Sequence, residues 1–213
     1  SDYANSALLS RMNCTNNDDL LWMNPAEAWF LKAEYWLRNG DKAQARQCYE
    51  EGVKVSFDVC GVSGAEDYLS DAKSVPAMYV DVVNGGNSYN SALSDITPAW
   101  NDGADFEKNL EQIITQKYIA QTPYGTLEMW NDRRRLGLPW FDLPNNETVF
   151  VGADMESTWT PNTYKEKQSS KVFPQRLRYP SSLQNADPQG YAKAIELLGG
   201  ADNTLTPLWW AIK

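Results

Sequence analysis

Apolar and polar positions along this chain keep helical period in several stretches and lose it between them. Asn24-Pro25-Ala26-Glu27 offers an N-cap, a proline at the first helical position and an early acid. Trp29, Ala33 and Trp36 follow at spacings of four and three, which predicts a helix with these residues on its buried face. Asn39-Gly40-Asp41 stops that helix and caps a second one, whose stripe is Ala45, Tyr49, Gly52 and Val53 and whose end falls near Ser56. From Ala104 a third helix carries Phe106, Leu110, Ile113, Ile114 and Tyr118 to the break at Pro123-Tyr124-Gly125. A fourth, Thr126–Leu136, should turn Leu127 and Trp130 inward and finish on Arg133-Arg134-Arg135, where positive charge suits a helix C-terminus.

The remaining stretches are irregular. Residues 1–23 read as an extended polar lead, and 61–103 as loop with a short helix near Glu66–Asp71 and turn chemistry at Asn84–Ser88. Six of the eleven prolines fall in 137–190, with only short strand-like pieces such as Glu147–Val151. A last helix, about Pro188–Leu198, ends at Gly199-Gly200, and Trp209-Trp210 are expected to anchor the C-terminus. The predicted class is therefore mostly α, with a helical hairpin at 24–56 and a long irregular, Pro-rich C-terminal half. In the hairpin Trp29, Ala33, Trp36, Gly40, Ala45 and Tyr49 fall in step with a tetratricopeptide repeat, while Lys32 and Phe57 depart from it. No second copy follows 34 residues on. One such hairpin cannot cover its own apolar face, so other helices must do so.

Composition narrows the chemistry. The 213 residues hold 28 acids against 19 Lys and Arg, a formal charge of −9, so a nucleic-acid partner is not expected. With no histidine at all, His-based triads, His-ligated zinc and the usual neutral-pH base are absent. Cys14, Cys48 and Cys60 form no CxxC motif. They are compatible with free buried thiols or with a Cys48–Cys60 bridge and a spare. No cofactor or metal is indicated. No apolar run approaches a membrane span, and the start, Ser1-Asp2-Tyr3, shows no signal peptide and suggests a fragment or processed chain.

Aromatics are abundant: nine Trp, eleven Tyr and six Phe. Trp100, Trp140 and Trp159 stand in loops beside Asn101-Asp102, Phe141-Asp142 and Thr158/Thr160. A loop indole with amide or carboxylate neighbours is what a sugar platform requires, since the face stacks and the neighbours bond hydroxyls. These three are the candidate ligand contacts, Trp140 and Trp159 ahead of Trp100. The same side chains can instead pin their loops to the core. Acid pairs such as Asp102/Asp105, Asp142/Glu147 and Asp154/Glu156 exist, but 28 acids produce pairs by chance, and no barrel-like scaffold presents them. No catalytic residue is assigned.

Several stretches together resemble the SusD/RagB family of outer-membrane glycan-capture lipoproteins. They are NPAEAWFLKAE from Asn24 with NGDKAQARQCYEEG from Asn39, LEQIITQKYIA from Leu110 with EMWNDRRRLG from Glu128, PQRLRYPSS from Pro174, and the Trp209-Trp210 ending. Their order and spacing cover most of 24–213. The resemblance implies an α-helical fold built on tetratricopeptide-like pairs and a place on the cell-surface face of the outer membrane as a lipid-anchored protein. It also implies a SusC-like TonB-dependent transporter as partner, a ligand that is usually an oligosaccharide, and no catalysis. Family members are considerably longer, so the expectation is that residues 1–213 are a single C-terminal portion whose missing N-terminal portion supplies much of the glycan surface. A generic helical-repeat interaction scaffold is the alternative, and an enzyme acting on polysaccharide a distant third.

Overall fold

The computed structural model describes residues 21–78, 80, 94–140, 176–204 and 206–209. Among them it contains seven helices and no strand. These are α1 (Pro25–Arg38), α2 (Lys42–Val59), α3 (Ala65–Ser70), α4 (Phe106–Gln121), α5 (Thr126–Leu136), α6 (Leu183–Ala186) and α7 (Pro188–Leu198). The chain divides into two compact units, Ser1–Met129 and Trp130–Lys213. Four helices begin on a side-chain cap. Asn24, Asp41, Asp105 and Asp187 accept from the backbone N–H of Ala26, Gln44, Lys108 and Gly190 respectively. The predicted limits of α5 hold, and so do those of the last helix, which Gly199 closes at φ 70. The short α6 lies inside the stretch read as irregular, and Glu147–Val151 lies outside the described residues.

In the first unit α1 and α2 form the expected hairpin, closed at Gly40, where φ is 80. Ala45, Tyr49, Gly52 and Val53 are buried on α2 as their spacing implied, joined by Cys48. On α1 the buried face is Ala26, Phe30, Ala33, Glu34 and Leu37, one position round from the predicted Trp29–Trp36 stripe. Size explains the rotation. Phe30 lies flat enough against Gly52 that a Cβ there would stand 2.8 Å from its ring, and it meets Tyr49 edge-on at 6.3 Å. Two indoles would not fit in that crossing. Trp29 and Trp36 are half-buried beside it, the first under the Lys32 ammonium at 4.1 Å, the second against Tyr35 at 5.2 Å. α4 covers the hairpin. Asn24 Nδ2 donates to the Ala120 carbonyl at 2.6 Å, and the buried Lys117 pairs with Glu27 at 3.4 Å.

Cys48 and Cys60 are both free, the first buried and the second exposed. Twelve residues of helix separate them by roughly 18 Å along the axis, beyond the ~7 Å reach of a disulfide. The bridge alternative is thereby removed. Cys14 lies outside the described residues.

α5 also presents another face than its apolar spacing implied. Leu127 is 69% and Trp130 42% exposed, while Met129, Asp132, Arg133 and Leu136 are buried. Arg133 explains the choice. Its guanidinium is wholly enclosed, and Nη1 donates to the carbonyls of Gly137 and Pro139, closing the turn after the helix. Arg135 pairs with Asp132 at 2.8 Å.

In the second unit one ion pair organises the described residues. Arg176 Nη1 reaches Asp202 Oδ1 at 2.6 Å, and its guanidinium lies over the Tyr179 ring at 4.7 Å. Asp202 also accepts from the Tyr179 N–H and the Tyr191 hydroxyl, each at 3.2 Å. Trp209 is 83% exposed, so the expected anchoring of the C-terminus by this indole is not observed; Trp210 lies outside the described residues.

Two outcomes are expected. Gly52→Ala should destabilise the protein, because a Cβ 2.8 Å from the buried Phe30 ring would force that ring to shift against Tyr49; overpacking of about 1–3 kcal/mol exceeds the ~1 kcal/mol gained in helix propensity. The loss should shrink in a Phe30→Leu background, a coupling that a urea-denaturation double-mutant cycle would measure. The second outcome concerns pH. Burial alone raises the Asp202 carboxyl, but the Arg176 guanidinium and the Tyr179 and Tyr191 donors outweigh it and hold the group below the ordinary carboxylate value. A lowered folded value means stabilisation present above the unfolded value, near pH 3.9, and lost as pH falls through the folded one. The gap in melting temperature between the parent and Asp202→Asn should therefore narrow from pH 6 to pH 3. A gap independent of pH would contradict the assignment.

A candidate ligand-binding hollow

The segment 94–105 has no regular structure, so its buried carbonyls need donors from elsewhere. Two helices supply them. Gln112 Nε2 donates to the carbonyls of Thr97 (2.9 Å) and Ala99 (2.8 Å), and Asn109 Nδ2 to that of Asn101 (2.9 Å) and to Gln112 Oε1 (3.1 Å). From α2 the Tyr49 hydroxyl donates to the Pro98 carbonyl at 2.7 Å, and Lys42 Nζ donates to the carbonyls of Asp102 and Ala104. Burial pushes the Tyr49 phenol well above its ordinary pKa, so it stays a neutral donor. Below, Ser94 Oγ donates to the buried Glu111, which also receives Lys108 at 3.2 Å. The segment is held by its backbone, through side chains that belong to helices.

That strap walls a hollow of about 780 Å³, within the size range of small-molecule sites. Its lining includes Thr97, Trp100, Asn101, Asp102, Lys108 and Gln112. Lys108 is shared between Asp95 and Glu111, and Asp102 Oδ2 accepts from Arg46 at 2.9 Å. The Lys108 ammonium is held above its ordinary pKa: burial works against this, and the bond to Asp95 with the Glu111 charge overcomes it. Asp105, through Oδ1, caps α4. Such a wall can hydrogen-bond a polar ligand. Among the described residues it carries no side chain held as a nucleophile or a paired base, and no cluster of His, Cys, Asp or Glu suited to a metal. The Asp102/Asp105 pair is thus engaged in structure, one member with Arg46 and the other as a cap.

The three sequence-chosen indoles are not brought together. Trp100 sits in the strap at 8% exposure, tilted against Tyr49 with ring centroids 5.3 Å apart, and its buried Nε1 finds no partner among the described residues. It is a packing residue first and a wall of the hollow second. Trp140 is half-buried in the second unit, and Trp159 lies outside the described residues, as do Asp142/Glu147 and Asp154/Glu156. Sequence reading reached the wall through Trp100, Asn101 and Asp102 but missed Lys108 and Gln112. Both lie on α4, where attention to the apolar stripe hid them.

Gln112→Leu is expected to cost about 1–3 kcal/mol, since the Thr97 carbonyl loses its donor, the Ala99 carbonyl keeps only the Thr97 hydroxyl, and Asn109 loses an acceptor. Urea denaturation would register this. An unchanged midpoint would mean the strap is not held as described.

A family model described as "SusD-like: Susd and RagB outer membrane lipoprotein" matches residues 1–211. No curated protein matches. Among solved structures, a SusD homolog from Bacteroides uniformis is 37% identical, with TM-score 0.68 over 95% of this chain and 39% of its own. A chitin-binding SusD homolog from Flavobacterium johnsoniae is 34% identical, with TM-score 0.65 over 90% of this chain and 36% of its own. A further homolog, from Bacteroides thetaiotaomicron, is 34% identical, with TM-score 0.66 over 94% and 40%. The chain spans about two fifths of the length of these relatives.

Proposed function

This chain belongs to the SusD-like family of SusD and RagB outer-membrane lipoproteins, and from that premise we propose that it is part of a non-catalytic binding subunit of a nutrient-uptake complex. The subunit captures oligosaccharide at the cell surface and passes it to a SusC-like TonB-dependent transporter in the outer membrane. The observation that carries this reading is the family match over residues 1–211. The chitin-binding relative, alike in fold and at 34% identity, supports a glycan as ligand. Support for binding without hydrolysis comes from the chain's lack of histidine and from the structural employment of Asp102 and Asp105. Trp140 and Trp159 remain proposed stacking contacts; the rest of the protein supplies the remainder of the ligand surface. No described helix is long and apolar enough to cross a membrane, which is compatible with anchoring by lipid.

The intact protein, freed of its anchor, should be retarded in native gels containing a polysaccharide from a panel of chitin, mannan, xylan and β-glucan. It should release no new reducing ends on incubation. With its anchor retained, the protein should co-purify with the transporter from outer membranes. New reducing ends above a mock preparation would make it an enzyme; no retardation by any polysaccharide, with the transporter absent from the purified fraction, would favour the interaction scaffold.

A further inference from the structure

Resting on the reading above, we propose that the hollow under the 94–105 strap is itself a sugar-binding subsite, and that it selects uncharged sugar residues. Its wall keeps a small set of polar groups that the fold does not use up. Asn101 spends Oδ1 on the Gly103 N–H at 3.0 Å, and its Nδ2 donor has no partner among the described residues. Asp102 spends Oδ2 on Arg46, and Asp105 spends Oδ1 on the Lys108 N–H; the second oxygen of each takes no bond among the described residues. All three residues are exposed. One amide donor and two carboxylate acceptors therefore face solvent from a segment whose backbone is already fixed. Hydroxyl groups, which donate and accept at once, match that set.

Charge narrows the ligand further. Asp95, Asp102 and Asp105 stand around the hollow, and its one cation, Lys108, is shared between Asp95 and Glu111. A uronate or sulfated sugar would meet carboxylates whose cations are already engaged, in a chain of formal charge −9. A cationic sugar gains little either, since Lys42 against the strap, Arg46 and Lys108 together offset three of the four acids Asp95, Asp102, Asp105 and Glu111. What remains is hydrogen-bonding capacity with little net charge. Rigidity adds to it: the carbonyls of Thr97, Pro98, Ala99 and Asn101 are all held by helix side chains, so little ordering is left for binding to pay.

The test uses the intact protein and five hexasaccharides in calorimetric titrations: cellohexaose, mannohexaose and chitohexaose as uncharged probes, hexagalacturonate as the anion and hexaglucosamine as the cation. At least one uncharged probe should bind, and neither charged one should bind as tightly. Asn101→Ala and Asp102→Ala should each weaken binding roughly tenfold, the size of one lost charge-assisted or amide hydrogen bond, with only a small change in melting temperature because the bonds each makes within the protein are exposed. Arg46→Ala, which breaks the same ion pair from outside the hollow, should leave affinity as it was. Tightest binding by a charged probe would overturn the selectivity. Wild-type affinity in both wall variants, or an equal loss in Arg46→Ala, would overturn the subsite while leaving glycan capture standing. Binding of no probe, uncharged or charged, would overturn this inference and count against the proposed glycan capture too.

Discussion

The described part of the first unit depends on amide side chains of one helix meeting the backbone of one loop. A loop has no ladder of its own, and a carbonyl enclosed without a donor costs more than most packing contacts return. Gln112 removes that penalty for Thr97 and Tyr49 for Pro98, while Gln112 and Asn109 add to the bonds that the Ala99 and Asn101 carbonyls take from the Thr97 hydroxyl and the Ala104 N–H. With those bonds made, Trp100 can settle on Tyr49, and Tyr49 in turn meets Phe30 in the hairpin crossing. Polar satisfaction and aromatic packing are thus joined through one tyrosine, which carries the hydroxyl for the loop and the ring for the core.

This division explains what could be read in advance. The hairpin, α5 and the last helix follow from caps, breakers and period, all of which act over a few residues, and the structure returns them with small changes of boundary. Which face is buried is decided by fit rather than hydrophobicity. Trp29 and Trp36 yield the crossing to Phe30 because Gly52 opens a slot for one phenyl ring, and Leu127 and Trp130 yield to Arg133 because the turn at 137–139 needs its donors. α4 is the extreme case. Asn109, Glu111, Gln112, Lys117 and Gln121 are all buried on it, and a search for apolar period gives such residues to solvent. Of the site, Trp100, Asn101 and Asp102 were legible as neighbours in sequence; Lys108 and Gln112 join them only through the fold.

Family membership and the hollow address different questions. The match over 1–211 says what kind of protein this is, while the chain's two-fifths share of its relatives' length leaves most of their surface elsewhere. The hollow lies wholly inside one compact unit and is built from residues of that unit alone. A contribution to ligand contact from this segment therefore does not require the indoles that sequence reading favoured.

Anchoring the strap by its carbonyls has an evolutionary corollary. Every amino acid brings a carbonyl, so the tethers at 97, 98, 99 and 101 survive almost any change of side chain there. Trp100 is constrained by Tyr49, and Asp105 by its cap, but Asn101 and Asp102 are bound by no such duty to the core. A lineage could exchange their side chains one at a time, altering what the hollow recognises while its shape and the stability of the unit stay put. Innovation in ligand preference would then be concentrated at a few positions, and the helix residues that hold the loop would be the ones that resist change.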